Sequence, residues 1–255
     1  LEIIAQLKTC STATLTTQLF KRGLRNAFMQ GVRPLTNVKT PMIGLQHHAL
    51  NRGRLASLRE PWLRLLTGGV DEFPALSRLA AAQINERRAP HLPPSEPLAW
   101  GPDASFYPVS QSPGEGVIAA GRTGRDFITF GRAASRAGIA AKILCLDHDA
   151  PALLSGLGSN VEVRAAPVSR PYDYPEMMGE HLAARVVAIP LHASTSNLAG
   201  LTSLVDAMAL GKPVVMTRNP FIDLDIEAEG FGRWVEPGDV DGWTDALTWF
   251  HCRPD

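Results

Sequence analysis

Five short apolar runs recur between residues 116 and 217: GVIAAG, KILCL, VEVRA, RVVAIPL and PVVMT. Longer segments with apolar residues at helical spacing separate them. Strands that are nearly continuous in apolar residues are buried on both faces. Alternation of such strands with helices calls for βαβ units and a parallel sheet covered on both sides. Residues 114–255 are therefore expected to form an α/β, Rossmann-like domain.

The rest of the chain reads differently. Residues 1–44 place apolar and polar residues at helical spacing, with Ser11 and Thr12 as possible caps and Gly23 and Gly31 as stops. A largely helical leader is expected there. Residues 45–113 are rich in Arg and Pro, and RRAPHLPPSEP reads as a linker or exposed loop.

Composition removes several classes of function. With 45% hydrophobic and 20% charged residues among 255, the chain can bury a core. The formal net charge is zero, so no basic face points to nucleic acid. Cys10, Cys145 and Cys252 are scattered and show no CxxC spacing, so neither a disulfide framework nor a zinc site is expected. That usage suits a reducing compartment, and a cytoplasmic location follows. His47 and His48 are adjacent and point to different sides of any helix or strand, so no metal site is expected from them. The apolar runs are far shorter than the ~20 residues of a membrane helix.

Two stretches carry chemistry. In AAGRTGRD (119–126) an apolar strand ends at Gly121, and a helix begins shortly after. Ligands of doubly wound sheets bind at the carboxyl ends of strands. Glycine there lets backbone approach a ligand. The forks of Arg122 and Arg125 match phosphate oxygens, and the following helix would add N–H groups. Two ordinary surface arginines on a solvated turn are the alternative. GxGxxG is absent, and Gly211-Lys212 is followed by Pro213 ahead of a strand, which excludes a P-loop.

The second stretch is AGLTSLVDAMALGKPVVMT (199–217). Leu201, Leu204, Val205, Met208 and Ala209 fall at helical spacing and predict the buried stripe. Gly200 stands at the expected helix start, Gly211 just past its end, and Pro213 forbids continuation. Asp206 lies between the buried positions as a partly exposed acid. Its carboxylate could accept two hydrogen bonds from a ribose diol. Asn197, Gly200, Leu201 and Thr202 would offer donors to phosphate. An exposed Asp on an amphipathic helix is the alternative.

The second stretch resembles the signature helix and strand of retaining, group 1 type GT-B nucleotide-sugar glycosyltransferases. Other pieces resemble that family in its order. They are LLTGGVDEFPALSRLAAAQI (65–84), WGPDASFYP (100–108), GRTGRD, NVEVRAAPVS (160–169), VVAIPLHASTSN and VEPGDVDGWTDAL. The likeness spans about 65–255. It implies that Gly121, Arg122 and Arg125 meet the donor diphosphate, and that Asp206 holds the ribose in place of the family's usual Glu. It implies that Asn197, Gly200, Leu201 and Thr202 lie against phosphate or donor sugar, and Val168 and Ser169 near the base. The family's second acid, eight residues before the first, is Leu198 here.

The resemblance implies transfer of a sugar from a nucleotide-sugar donor to a hydroxyl acceptor, with no cofactor beyond that substrate. Only the end of an acceptor-side domain is recognisable, within 45–113. A chain built so is expected to bind nucleotide but to be weakly active or inactive. CSTATLTTQLFKRGLRNAFMQGVRPL (10–35) resembles the opening of the regulators of ribonuclease activity A, related to class II hydroxy-oxoglutarate aldolases. A non-catalytic regulatory or binding protein of that type is the alternative reading.

Overall fold

The computed structural model describes residues 72–86, 88–98, 101–102, 107–108, 113–195 and 197–252. The expectations for the leader at 1–44 and its family resemblance lie outside them.

Six strands form one sheet: β1 (Val117–Ala120), β2 (Ala141–Leu146), β3 (Val161–Ala166), β4 (Val186–Ile189), β5 (Val214–Thr217) and β6 (Gly232–Val235). Their order is β3-β2-β1-β4-β5-β6, and every pair is parallel. The five apolar runs are the first five strands. β6 is the edge strand that the apolar pattern did not announce, because GRWV carries one buried residue.

The pleat divides the core in two. Val117 and Ala119 of β1 point to one face, where Phe130 of α2 (Phe127–Ala137) and Trp243 and Leu247 of α6 (Val240–His251) cover them. Leu153 of the short α3 (Ala150–Leu154) joins that side. Ile118 and Ala120 point to the other face, against Leu204 and Ala207 of α5 (Leu201–Ala209) and Met177 of α4 (Tyr174–Ala183). Helices on both faces explain why the central strands contain almost no polar residue. The fold class is the α/β, Rossmann-like one expected from residues 114 onward.

The termini of α5 follow the glycine reading. Gly200 caps its start with φ 89°, and a Cβ there would lie 2.6 Å from Met216 Cε. At the other end Lys212 N–H bonds Ala207 O and Gly211 N–H bonds Met208 O, the paired bonds of a Schellman stop. The predicted buried stripe needs correction. Leu204, Val205, Asp206 and Ala207 are buried, whereas Met208 is 36% exposed. The cause is that α5 packs on two neighbours. Leu204 and Ala207 meet the sheet, while Asp206 faces α4.

A smaller unit precedes the sheet. α1 (Arg78–Asn85) starts at Ser77, whose Oγ accepts from Ala80 N–H. RRAPHLPPSEP is a largely exposed loop, as one of the two readings had it, and it is pinned at two points. Asn85 exchanges two hydrogen bonds with the Ser95 backbone, Arg88 Nε donates to Pro93 O, and Arg88 and Ser95 are both buried. The unit docks on the main domain. Leu76 and Leu79 pack with Leu198, Leu201 and Phe221, and Arg78 N–H donates to Asp223 Oδ2 at 2.7 Å.

Candidate functional site

β1 sits between β2 and β4, so the chain reverses its direction of travel across the sheet at the β1–β4 junction. Crevices at such junctions, beyond the carboxyl ends of the strands, are where ligands of this architecture bind. Two loops meet there. His192 N–H donates to Gly124 O, Asp126 N–H donates to Pro190 O, and Arg125 bridges Leu191 in antiparallel sense.

Arg125 is the centre of this junction. Its Nε donates to Ala120 O at 2.9 Å, one Nη to Thr123 O at 3.3 Å and the other to Ser203 Oγ at 2.8 Å. Among the described residues no carboxylate lies within ion-pair distance of it. Burial without a counter-ion pushes its pKa down, from 12.5 to about 10. A cation held this way still favours an anion at the same place. Two of its five N–H bonds have no partner in these contacts. Gly121 has a role the sequence did not suggest. Its φ is 133°, and a Cβ would lie 2.4 Å from Arg125 Nε. The glycine makes room for the folded-back guanidinium as well as for anything approaching the turn.

Arg125 bonds Ser203 Oγ and so stands beside the start of α5, the second of the two helix starts that the sequence offered for phosphate. Asp126 closes the start of α2, with its carboxylate accepting from Thr129 N–H and Oγ1–H. In α5 the cap Gly200 has no side chain, and the N–H groups of Thr202 and Ser203 carry no hydrogen bond among the described residues. Leu201 N–H is already used, by Leu198 O. Arg122 and Thr202 are exposed at this mouth, and Arg122 makes no polar contact among the described residues. Asn197 Oδ1 accepts from Ala199 N–H and shapes the turn before Gly200.

Asp206 lies one helical turn beyond Ser203, a rise of about 4.5 Å along α5. It is 2% exposed, which corrects the expectation of a partly exposed acid. Its Oδ1 accepts from Tyr107 Oη at 2.5 Å and Tyr174 Oη at 2.7 Å, and the two hydroxyls are 3.1 Å apart. Burial and these neighbours hold the Tyr174 phenol far above its ordinary pKa, so it stays protonated as the donor. His181 is buried close by, with Nδ1 against Met177 O at 2.7 Å; burial lowers its pKa.

Val168 and Ser169 lie in the exposed turn after β3, where Arg170 N–H closes on Pro167 O. They share the carboxyl end of the sheet with Arg125 but stand two strand spacings away, about 10 Å. The intervening chain leads to Tyr174, the first residue of α4. Tyr174 in turn reaches Asp206, so the chain that follows the 167–173 turn is tied to α5. Ser203, Tyr107, Tyr174 and Asn219 were not singled out in the sequence. Only Asn219 left a local signal there, an Asn-Pro pair two residues past a strand.

Solved structures share this architecture. HepE of Anabaena, in a complex with UDP and glucose, superposes with TM-score 0.57 at 17% identity over 82% of this chain and 61% of its own. A TarM variant from S. aureus, in a complex that includes UDP and alpha-GlcNAc-glycerol, gives 0.60 at 11% over 85% and 45%. The lipopolysaccharide outer core galactosyltransferase WaaB, in its apo form, gives 0.53 at 14% over 80% and 57%. The fold is that of GT-B glycosyltransferases. The chain thus spans between 45% and 61% of the length of these three proteins. No protein-family model and no curated sequence matches it.

Proposed function

We propose that this chain binds the donor of a nucleotide-sugar glycosyltransferase of the retaining type, which moves a sugar to a hydroxyl acceptor. The observation that carries the reading is Arg125, a partly buried guanidinium with no counter-ion among the described residues, at the switch point of a GT-B fold. A diphosphate supplies the missing charge. Arg125, Arg122 and the N–H groups of Thr202 and Ser203 would hold it, and the turn of Asn197, Gly200 and Leu201 would flank the donor sugar. The same groups would neutralise charge building on the departing diphosphate, where preorganised donors act most strongly.

The ribose would fall next along α5, at Asp206. Tyr107 and Tyr174 now donate to that carboxylate as two diol hydroxyls would. A ribose contact therefore requires Tyr107 to give way. Val168 and Ser169 would border the base. Because Tyr107 closes on Asp206, a second reading deserves its own arm: nucleotide binding without turnover.

Calorimetry with UDP, ADP and GDP, followed by diphosphate release from the matching nucleotide sugars with simple alcohols, separates the outcomes. Binding with acceptor-dependent release supports the enzyme. Binding without release supports the second reading. No binding of any nucleoside diphosphate contradicts both.

A further inference from the structure

The N–H groups assigned to the diphosphate, those of Thr202 and Ser203, open α5, and the chain enters that helix through a turn, residues 197–200, with no regular structure of its own. Something must hold it. Asn219, two residues past β5, is 4% exposed and uses three of its four hydrogen-bonding positions. Its Nδ2 donates to Asn197 O and Ala199 O, both at 3.0 Å, and its Oδ1 accepts from Phe221 N–H at 3.0 Å. The two carbonyls flank Leu198, directly before Gly200, so one carboxamide fixes the chain on entry to α5. Thr217, at the end of β5, does the same for the loop's other end. Its Oγ1 accepts from Leu191 N–H at 2.9 Å.

The chemistry at position 219 is specific. Two donors and one acceptor on one planar group match two carbonyls and one amide. Aspartate has the same shape but only acceptors, and it would face the two carbonyls with like partial charge. Serine keeps one donor and reaches less far. The main-chain turn that follows ties Asn219 to the α1 unit, because Phe221 packs with Leu76, Leu79, Leu198 and Leu201.

We infer that Asn219 is the positioning residue of the anion site: it holds the 197–199 carbonyls so that the N–H groups of Thr202 and Ser203 converge with Arg125. This rests on the proposal that the site takes a diphosphate, and it adds the group that sets the site's geometry without touching the ligand. Rigid support of this kind decides whether donors meet an anion at hydrogen-bond distance.

The test is calorimetric titration of Asn219→Asp and Asn219→Ser with inorganic pyrophosphate and UDP, at a temperature well below each variant's melting midpoint. Amide hydrogen exchange at Thr202 and Ser203 is read alongside. In the parent, pyrophosphate is expected to slow exchange at both amides. In Asn219→Asp the affinity for both ligands is expected to fall about tenfold or more, the loss of one to two hydrogen bonds. The two amides should then remain unprotected. Asn219→Ser should fall between. Should Asn219→Asp not fold, Asn219→Ser and the parent's exchange pattern still decide the matter. Equal affinity and equal protection in a folded variant would overturn the positioning role alone. A parent chain that binds neither ligand would overturn the diphosphate reading and this role with it.

Discussion

Arg125 meets α5 at Ser203, one turn before Asp206, yet the fold treats the two charges in opposite ways. Asp206 is fully engaged. Two tyrosine hydroxyls converge on one oxygen, and linker, α4 and α5 are joined there. Arg125 is only partly buried and, among the described residues, receives no opposite charge, only neutral carbonyls and a hydroxyl. Burying an unpaired charge costs several kcal/mol. A fold that needed the arginine only for cohesion could replace it by an apolar residue. Asp206 thus has its charge answered inside the fold, whereas the charge of Arg125 is answered by no carboxylate among the described residues.

The sharpest way to break this contrast is to remove the carboxylate. Asp206→Ala would leave two tyrosine hydroxyls without their acceptor. A loss of roughly 2–4 kcal/mol is expected in denaturant unfolding. A change below about 0.5 kcal/mol, the ordinary range for an exposed site, would show that the tyrosine junction does not hold the domain.

A smaller effect should come from His181, which shares this interior. Burial lowers its pKa, so the folded state keeps it neutral where the unfolded chain, near 6.5, takes up a proton. Stability from this group is complete above pH ~6.5 and is lost as pH falls below it, with a slope of at most about 1.4 kcal/mol per pH unit. Unfolding curves across that window should show the slope in the parent and lack it in His181→Leu. An unchanged slope in the variant would assign the pH dependence elsewhere.

Arg122 should give the smallest change. It is exposed and uncommitted, so Arg122→Ala is expected to leave stability alone. Nucleotide affinity should weaken by less than about 1 kcal/mol, as for other exposed charge contacts, and the loss should shrink in high salt. A salt-independent loss of several kcal/mol would mean that Arg122, not Arg125, is the principal anion ligand.

How the two regions were legible in the sequence follows from the range of the forces involved. The five strands showed because burial on both faces leaves a local, continuous apolar run. The ends of α5 showed because a left-handed cap demands glycine at a set offset. β6 did not show: it is a short edge strand, with Gly232 and Arg233 among its four residues. The surroundings of Asp206 were hidden for a different reason. Tyr107 is 99 residues away in sequence and Tyr174 is 32 away, and nothing local marks either as a donor. The same acid on the same helix reads as exposed until α4 and the linker are placed against it. Gly121 was noticed for its turn, but its crowding by Arg125 appears only when the side chain folds back.

The most direct test of the account is thermal unfolding of the parent and Arg125→Met, each titrated with pyrophosphate. Methionine fills similar space without the charge. The account predicts a variant with a melting midpoint equal to or above the parent's, because the uncompensated cation is gone. Pyrophosphate should raise the parent's midpoint by mass action and leave the variant's unmoved. A variant that melts well below the parent, or one that pyrophosphate stabilises as strongly, would show that Arg125 serves the fold and that its charge is not held in reserve for a ligand.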